Sequence, residues 1–171
     1  MKKVLKFSGV IALVLAIVAF ILLMATTGVY YQYKGSDTRV LYAGTTVLFG
    51  NDKETWLGTA HTSLAPTALI GWILIVVAMI IVALGVILPL LKVKALDKFA
   101  GLLNLVAVVA FIVAGVLLFF TVPAFISANG GDNTDYFHLG AGWVIGAILA
   151  IAAGAFAILP AAAAFIGSKK K

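Results

Sequence analysis

The chain contains no cysteine among its 171 residues. That absence excludes a disulfide framework, a thiolate metal centre and a thiol nucleophile. Acidic residues are scarce too, six Asp and Glu against twelve Lys and Arg, and there are only two histidines. The more telling scarcity is local. Residues 7–27, 66–91, 99–127 and 137–168 contain no Asp, Glu, Lys or Arg at all. With 64% hydrophobic residues and a mean hydropathy of +1.19, these runs exclude a soluble domain and a disordered chain.

Each uncharged run is long enough to cross a bilayer, because a helix rises ~1.5 Å per residue and the hydrocarbon core is ~30 Å thick. The spacing predicts an all-α membrane protein: a four-transmembrane-helix up-down bundle forming one membrane domain, with helices over about 5–28, 66–91, 99–127 and 137–167. Nine lysines fall at the ends and the middle of the chain: Lys2, Lys3, Lys6, Lys92, Lys94, Lys98 and Lys169 to Lys171. Cytoplasmic loops retain Lys and Arg, so both termini and the loop 92–98 are expected inside, with 29–65 and 128–136 outside. The inner face is then strongly basic, while Asp37, Asp52, Glu54, Asp132 and Asp135 outweigh Lys34, Arg39 and Lys53 outside. A basic strip of this kind answers to membrane insertion and anionic headgroups. No basic segment is long enough to track nucleic acid. The first apolar run exceeds the ~7–15 residues of a signal h-region, so a retained helix is expected rather than a cleaved leader. A cell membrane of bacterial type suits a chain with cysteine-free outer loops.

The chain also resembles itself. Lys6-Phe7-Ser8-Gly9 opens the first run and Lys98-Phe99-Ala100-Gly101 the third, followed at equal spacing by Leu13-Val14 and Leu105-Val106. Gly71-Trp72 precedes Ile87-Leu88-Pro89 as Gly142-Trp143 precedes Ile158-Leu159-Pro160. Two parallel matches point to a duplicated helical hairpin, with an insertion in the first outer loop of the first copy. That loop reads as a small extracellular β-sheet: Thr38–Tyr42 and Thr45–Phe49 are rich in β-branched and aromatic residues, and Glu54–Leu57 is a possible return strand after the turn at Gly50–Lys53. The second outer loop, Ser127–Asp135, is a short turn without room for a sheet. Four helices, both ends inside, a β-bearing first loop and a short second one together resemble the claudin and peripheral-myelin tetraspan architecture. Where that family's first loop carries a Trp, Gly-Leu-Trp and a cysteine pair, this chain has Trp56-Leu57-Gly58 and no cysteine. The resemblance implies architecture, and architecture does not carry function.

Helices in lipid associate through small residues. Gly142, Gly146, Ala150 and Gly154 form such a ridge, open to two readings: packing within the bundle or a docking groove for another helix. Asn104, the sole amide in the apolar cores, is expected to bond a neighbouring helix. Pro66 fits a first helical turn, whereas Pro89, Pro123 and Pro160 are expected to kink or end their helices. Trp72 and Trp143, with Tyr30, Tyr31, Tyr33 and Tyr136, read as an aromatic belt.

Chemistry is mostly missing. No Asp, Glu, Lys or Arg lies within the four apolar runs, where ion-coupled carriers place such groups. His61, Asp132, Asp135 and His138 could form an outer zinc site, against the plainer reading of a capping Asp135 and a solvated imidazole. No HExxH, nucleophile elbow, phosphate loop or complete EF-hand is present, so neither an enzyme nor a cofactor is expected. The favoured expectation is a small integral membrane protein acting through protein–protein contacts, as an accessory, assembly or structural subunit. Its partner would be another membrane protein or a second copy in a homo-oligomer, with Tyr42, Phe49 and Trp56 as candidate outer contact surface. The alternative is a permeation pathway or transporter component for a neutral or lipophilic solute.

Overall fold

In lipid a backbone polar group must find its partner within the protein, so the long uncharged runs have little choice but helix. A computed structural model describes residues 2–55, 58–87, 94–131 and 135–167. In chain order the elements are α1 (Lys2–Ala25), β1 (Thr27–Gln32), β2 (Arg39–Ala43), α2 (Gly44–Phe49), β3 (Asn51–Thr55), β4 (Gly58–Thr62), α3 (Pro66–Ile87), α4 (Lys94–Phe119), α5 (Thr121–Ala128), β5 (Phe137–Leu139) and α6 (Ala141–Gly167). Four helical segments, Phe7–Ala25, Pro66–Ile87, Phe99–Phe119 and Ala141–Ala162, are long and apolar enough to cross a membrane. Loop 92–98 begins outside the described residues, as does Pro89.

The helices form a ring in which α6 packs between α1 and α4, and α3 completes the circuit between α4 and α1. Small residues make the close approaches. Gly142 lies against Thr26 and Gly146 against Leu23, while Gly154 lies against Val108, Phe111 and Ile112 of α4. Ala150 is fully buried. The ridge on α6 thus faces two helices of its own chain. Asn104 is buried against Gly85 of α3, and its Oδ1 has no conventional donor. The Asn104 amide occupies the space a side chain at Gly85 would need, a Cβ there falling 2.5 Å from Oδ1.

Each proline has its own consequence. Pro66 is the first residue of α3, where a missing N–H is harmless. Pro123 lies in the first turn of α5, and its ring would collide with the carbonyl four residues earlier, Phe119, where α4 stops. Pro160 does not end α6, which runs on to Gly167. It removes the donor that would reach the carbonyl of Phe156, and the Ser8 hydroxyl of α1 donates to that carbonyl instead. The helix therefore does not stop at Pro160, and the carbonyl its ring leaves open is satisfied across the helix pair.

The segments joining the helices differ from the sequence-based expectation in several places. In place of the turn expected at Gly50–Lys53 and the return strand at Glu54–Leu57, β3 runs over Asn51–Thr55 and pairs with β4 at Gly58–Thr62. Residues 45–49 are helical, although Thr45, Thr46 and Val47 favour strand. Val47 and Leu48 are fully buried, and Gly44 sits so close to α1 that a Cβ would fall 1.9 Å from the Leu23 carbonyl. Burying that side and turning the chain at once needs a helical turn, and tertiary packing outweighs the modest β preference. Residues 27 and 28, expected at the end of the first helix, begin the strand β1 instead. Residues 137–139 likewise form a strand rather than the start of the last. Trp143 is fully buried, its Nε1 donating to the Leu23 carbonyl at 3.1 Å, so it is a core residue and no part of an aromatic belt.

Candidate functional site

The pairing of α1 with α6 continues upward into strands. Beyond Thr26 and Gly142, Gly140 N–H donates to the Gly28 carbonyl at 2.8 Å, and β1 then pairs antiparallel with β5, Tyr30 opposite His138. On its other side β1 pairs antiparallel with β2, Tyr30 opposite Leu41 and Gln32 opposite Arg39. The order of this sheet is β2-β1-β5. One face is packed. Val29 is fully buried, and Tyr42 meets Phe125 of α5 at 4.9 Å and Phe137 at 6.5 Å. The other face is more open: the Tyr30 and His138 rings lie 5.2 Å apart, tilted by 38°, and the Arg39 guanidinium lies 5.2 Å from the Tyr30 ring.

A second sheet, the hairpin β3-β4, places Asp52 directly opposite His61, and the carboxylate contacts imidazole Nδ1. Both side chains are largely exposed, at 64% and 70%. An open cleft of about 510 Å³ lies beside them, lined in part by Phe49, Asn51, Thr62 and Ser63. The hairpin is held to the bundle at its base. Ala65 N–H donates to the Val47 carbonyl at 2.8 Å, and the Asn129 amide both accepts from Ser63 N–H at 2.8 Å and donates to the Ser63 carbonyl at 3.0 Å.

The residues singled out in the sequence are dispersed. Tyr42 is half-buried within the aromatic cluster of the packed sheet face. Phe49 is 50% exposed at the end of α2, edge-on to Trp72, which in turn stacks on Phe20. Trp56 and Asp132 lie outside the described residues. His61 and His138 belong to different sheets, and among the described residues no three His, Asp or Glu gather where a metal could be held.

Val40 and Leu41 on β2, which the sequence reading does not single out, are 50% and 61% exposed. The signal was available. Neighbouring strand residues point to opposite faces, so with Tyr42 on the packed face Leu41 falls on the open face opposite Tyr30. The chain matches no protein-family model and no curated protein.

Proposed function

We propose that this chain is a multi-pass protein of the cell membrane that works through protein–protein contacts, as an accessory, assembly or structural subunit. In this reading the bundle is up-down, both basic ends face the cytoplasm, and the β-bearing cap stands outside. The observation that carries it is where exposed apolar surface occurs. Most of the large exposed hydrophobic side chains project from the four long helices, where lipid would cover them. Tyr33, Val40, Leu41 and Phe49 project from the cap instead, where only another protein or the membrane interface could.

Up-down order is supported by residues late in one helix meeting residues early in its neighbour, Leu23 with Gly146 and Gly71 with Leu118. The second of these contacts also supports duplication. Moved by the spacings that align the repeats, Gly71 becomes Gly142 and Leu118 becomes Thr26, and those two residues touch as well. The close glycine and alanine contacts between helices favour contacts over a permeation pathway as the working principle.

Extraction of the natively expressed protein in mild detergent, followed by native electrophoresis, tests the proposal. A band heavier than the lone subunit is expected at low expression. A protein that migrates alone at every expression level would refute it.

A further inference from the structure

The cleft beside the β3-β4 hairpin has one apolar wall and one polar wall. Phe49 belongs to the first and lies edge-on to Trp72 at 5.5 Å. Trp72 is roughly 9 Å along α3 from Pro66, where that apolar span begins, and it stacks on Phe20 of the span Phe7–Ala25. The Phe49 wall therefore stands at the level of the membrane-length helices. Leu64, two residues before Pro66, adds a second apolar side chain. Asp52, His61, Thr62 and Ser63 line the polar side. Any molecule that filled the cleft would touch both walls at once. Its volume of about 510 Å³ suits one small-molecule headgroup, since such sites span ~300–1,000 Å³.

The polar wall has a definite sign. Among the described residues no Lys or Arg lines the cleft. Strand alternation puts Glu54 on the same side of β3 as Asp52, and Lys53 on the other. A carboxylate only accepts, so His61 donates to Asp52 from Nδ1, and the neutral ring keeps Nε2 as an acceptor. The second carboxylate oxygen of Asp52 has no partner among the described residues. Two open acceptors and a negative charge thus share one wall. A primary ammonium answers both, with a positive charge and three N–H donors. A simple anion would meet like charge.

Magnitudes decide between a free amine and an amphiphile. Asp52 and His61 are largely solvated, and an exposed ion pair contributes only about 0–1 kcal/mol. An amine by itself is therefore held weakly. Covering the exposed Phe49 ring supplies the larger share, about 25 cal/mol for each Å² of apolar surface removed from water. The two contributions combine only in a molecule that carries an ammonium and an apolar chain together.

We propose that the cleft binds a membrane lipid whose headgroup ends in a primary ammonium. The ammonium donates to Asp52 and to His61 Nε2, and an acyl chain runs over Leu64 and Phe49 toward Trp72. This goes beyond the contact reading above and does not require it.

Native mass spectrometry of the full-length protein tests the assignment, in mixed micelles holding equal amounts of phosphatidylethanolamine and phosphatidylcholine with the same acyl chains. The two headgroups carry the same net charge, but only the first has N–H donors. Wild-type protein is expected to retain the first about fivefold or more over the second. Asp52→Asn, at an exposed side chain, should bring that preference within about twofold of unity. Asp37→Asn, at a carboxylate outside the cleft, should leave it unchanged. Equal retention of the two lipids by the wild-type protein overturns the ammonium assignment without recourse to any variant. An unchanged preference in Asp52→Asn removes the site from the cleft. Preference for phosphatidylglycerol over phosphatidylethanolamine overturns the sign of the wall. Soluble phosphoethanolamine that competes as well as the lipid overturns the part given to Phe49. The contact reading is judged separately, by whether the protein runs alone in native extracts.

Discussion

The hydroxyl of Ser8 donates to the carbonyl of Phe156, joining the beginning of α1 to the later part of α6. Phe156 lies four residues before Pro160, so its carbonyl has no donor of its own along the helix. At the other end of the same helix pair, the Trp143 indole donates to the Leu23 carbonyl in the last turn of α1, beyond which the helix supplies no donor. The pair is fastened at both ends by side chains satisfying carbonyls that helical geometry leaves open.

Ser8→Ala is therefore expected to destabilise the folded state by about 1–2 kcal/mol, since it leaves a part-buried carbonyl without a donor. In the background of Pro160→Ala, which restores the helical donor, the same substitution should cost distinctly less. A double-mutant cycle, followed by unfolding in mixed micelles, measures the difference. Equal costs in both backgrounds would disprove the coupling between Ser8 and Pro160.

Trp143→Phe keeps most of the ring and removes only the donor, with an expected loss of about 1–2 kcal/mol. Trp143→Ala adds a cavity and should cost about 3–5 kcal/mol. If Trp143 faced lipid headgroups, both substitutions would cost little. Reversible unfolding monitored by circular dichroism distinguishes the two cases.

The glycines of one ridge should differ sharply in tolerance. A Cβ at Gly142 would lie 2.2 Å from Thr26 Oγ1, whereas one at Gly146 would meet Leu23 Cδ2 at 3.4 Å, an ordinary contact. Gly142→Ala is expected to cost ~2 kcal/mol or more through overpacking, and Gly146→Ala less than ~1 kcal/mol. Similar losses at both positions would show that the α1–α6 interface is looser than these distances.

Gly85→Ala places its methyl 2.5 Å from Asn104 Oδ1. Alone it should destabilise by ~1–3 kcal/mol, and Asn104→Ala should relieve much of that by vacating the space. Additive losses in the double variant would break the link between these two residues.

The Asp52–His61 pair is solvated and should matter little to folding. Asp52→Asn and His61→Ala are each expected to change stability by less than ~1 kcal/mol. Retained assembly with both residues replaced would show that the hairpin pair is not a contact determinant; losing the heavier complex would reassign the site to the cleft.

Because the chain has no cysteine, single cysteines report sidedness without background. Cysteine in place of Tyr33 should react with an impermeant maleimide from outside intact cells, while cysteine appended at either end should react only after lysis. Opposite accessibility of the two ends would refute the up-down arrangement.

The amino-acid sequence alone was enough to locate four membrane-length helices, because an uncharged run of that length has few other stable conformations in lipid. The strand character of residues 39–42 and the first turn at Pro66 were legible for similarly local reasons. Tertiary structure decided what depended on partners far along the chain. The short strand Phe137–Leu139 exists because β1 lies beside it. Residues 44–49 coil because Leu23 leaves no room at Gly44. Trp143 turns inward because an open carbonyl waits across the bundle. The cleft beside the hairpin belongs to the same class: Phe49 and His61 line one space because the hydrogen bond from Ala65 to Val47 draws the end of the hairpin against α2, and local residue pattern carries no record of that meeting.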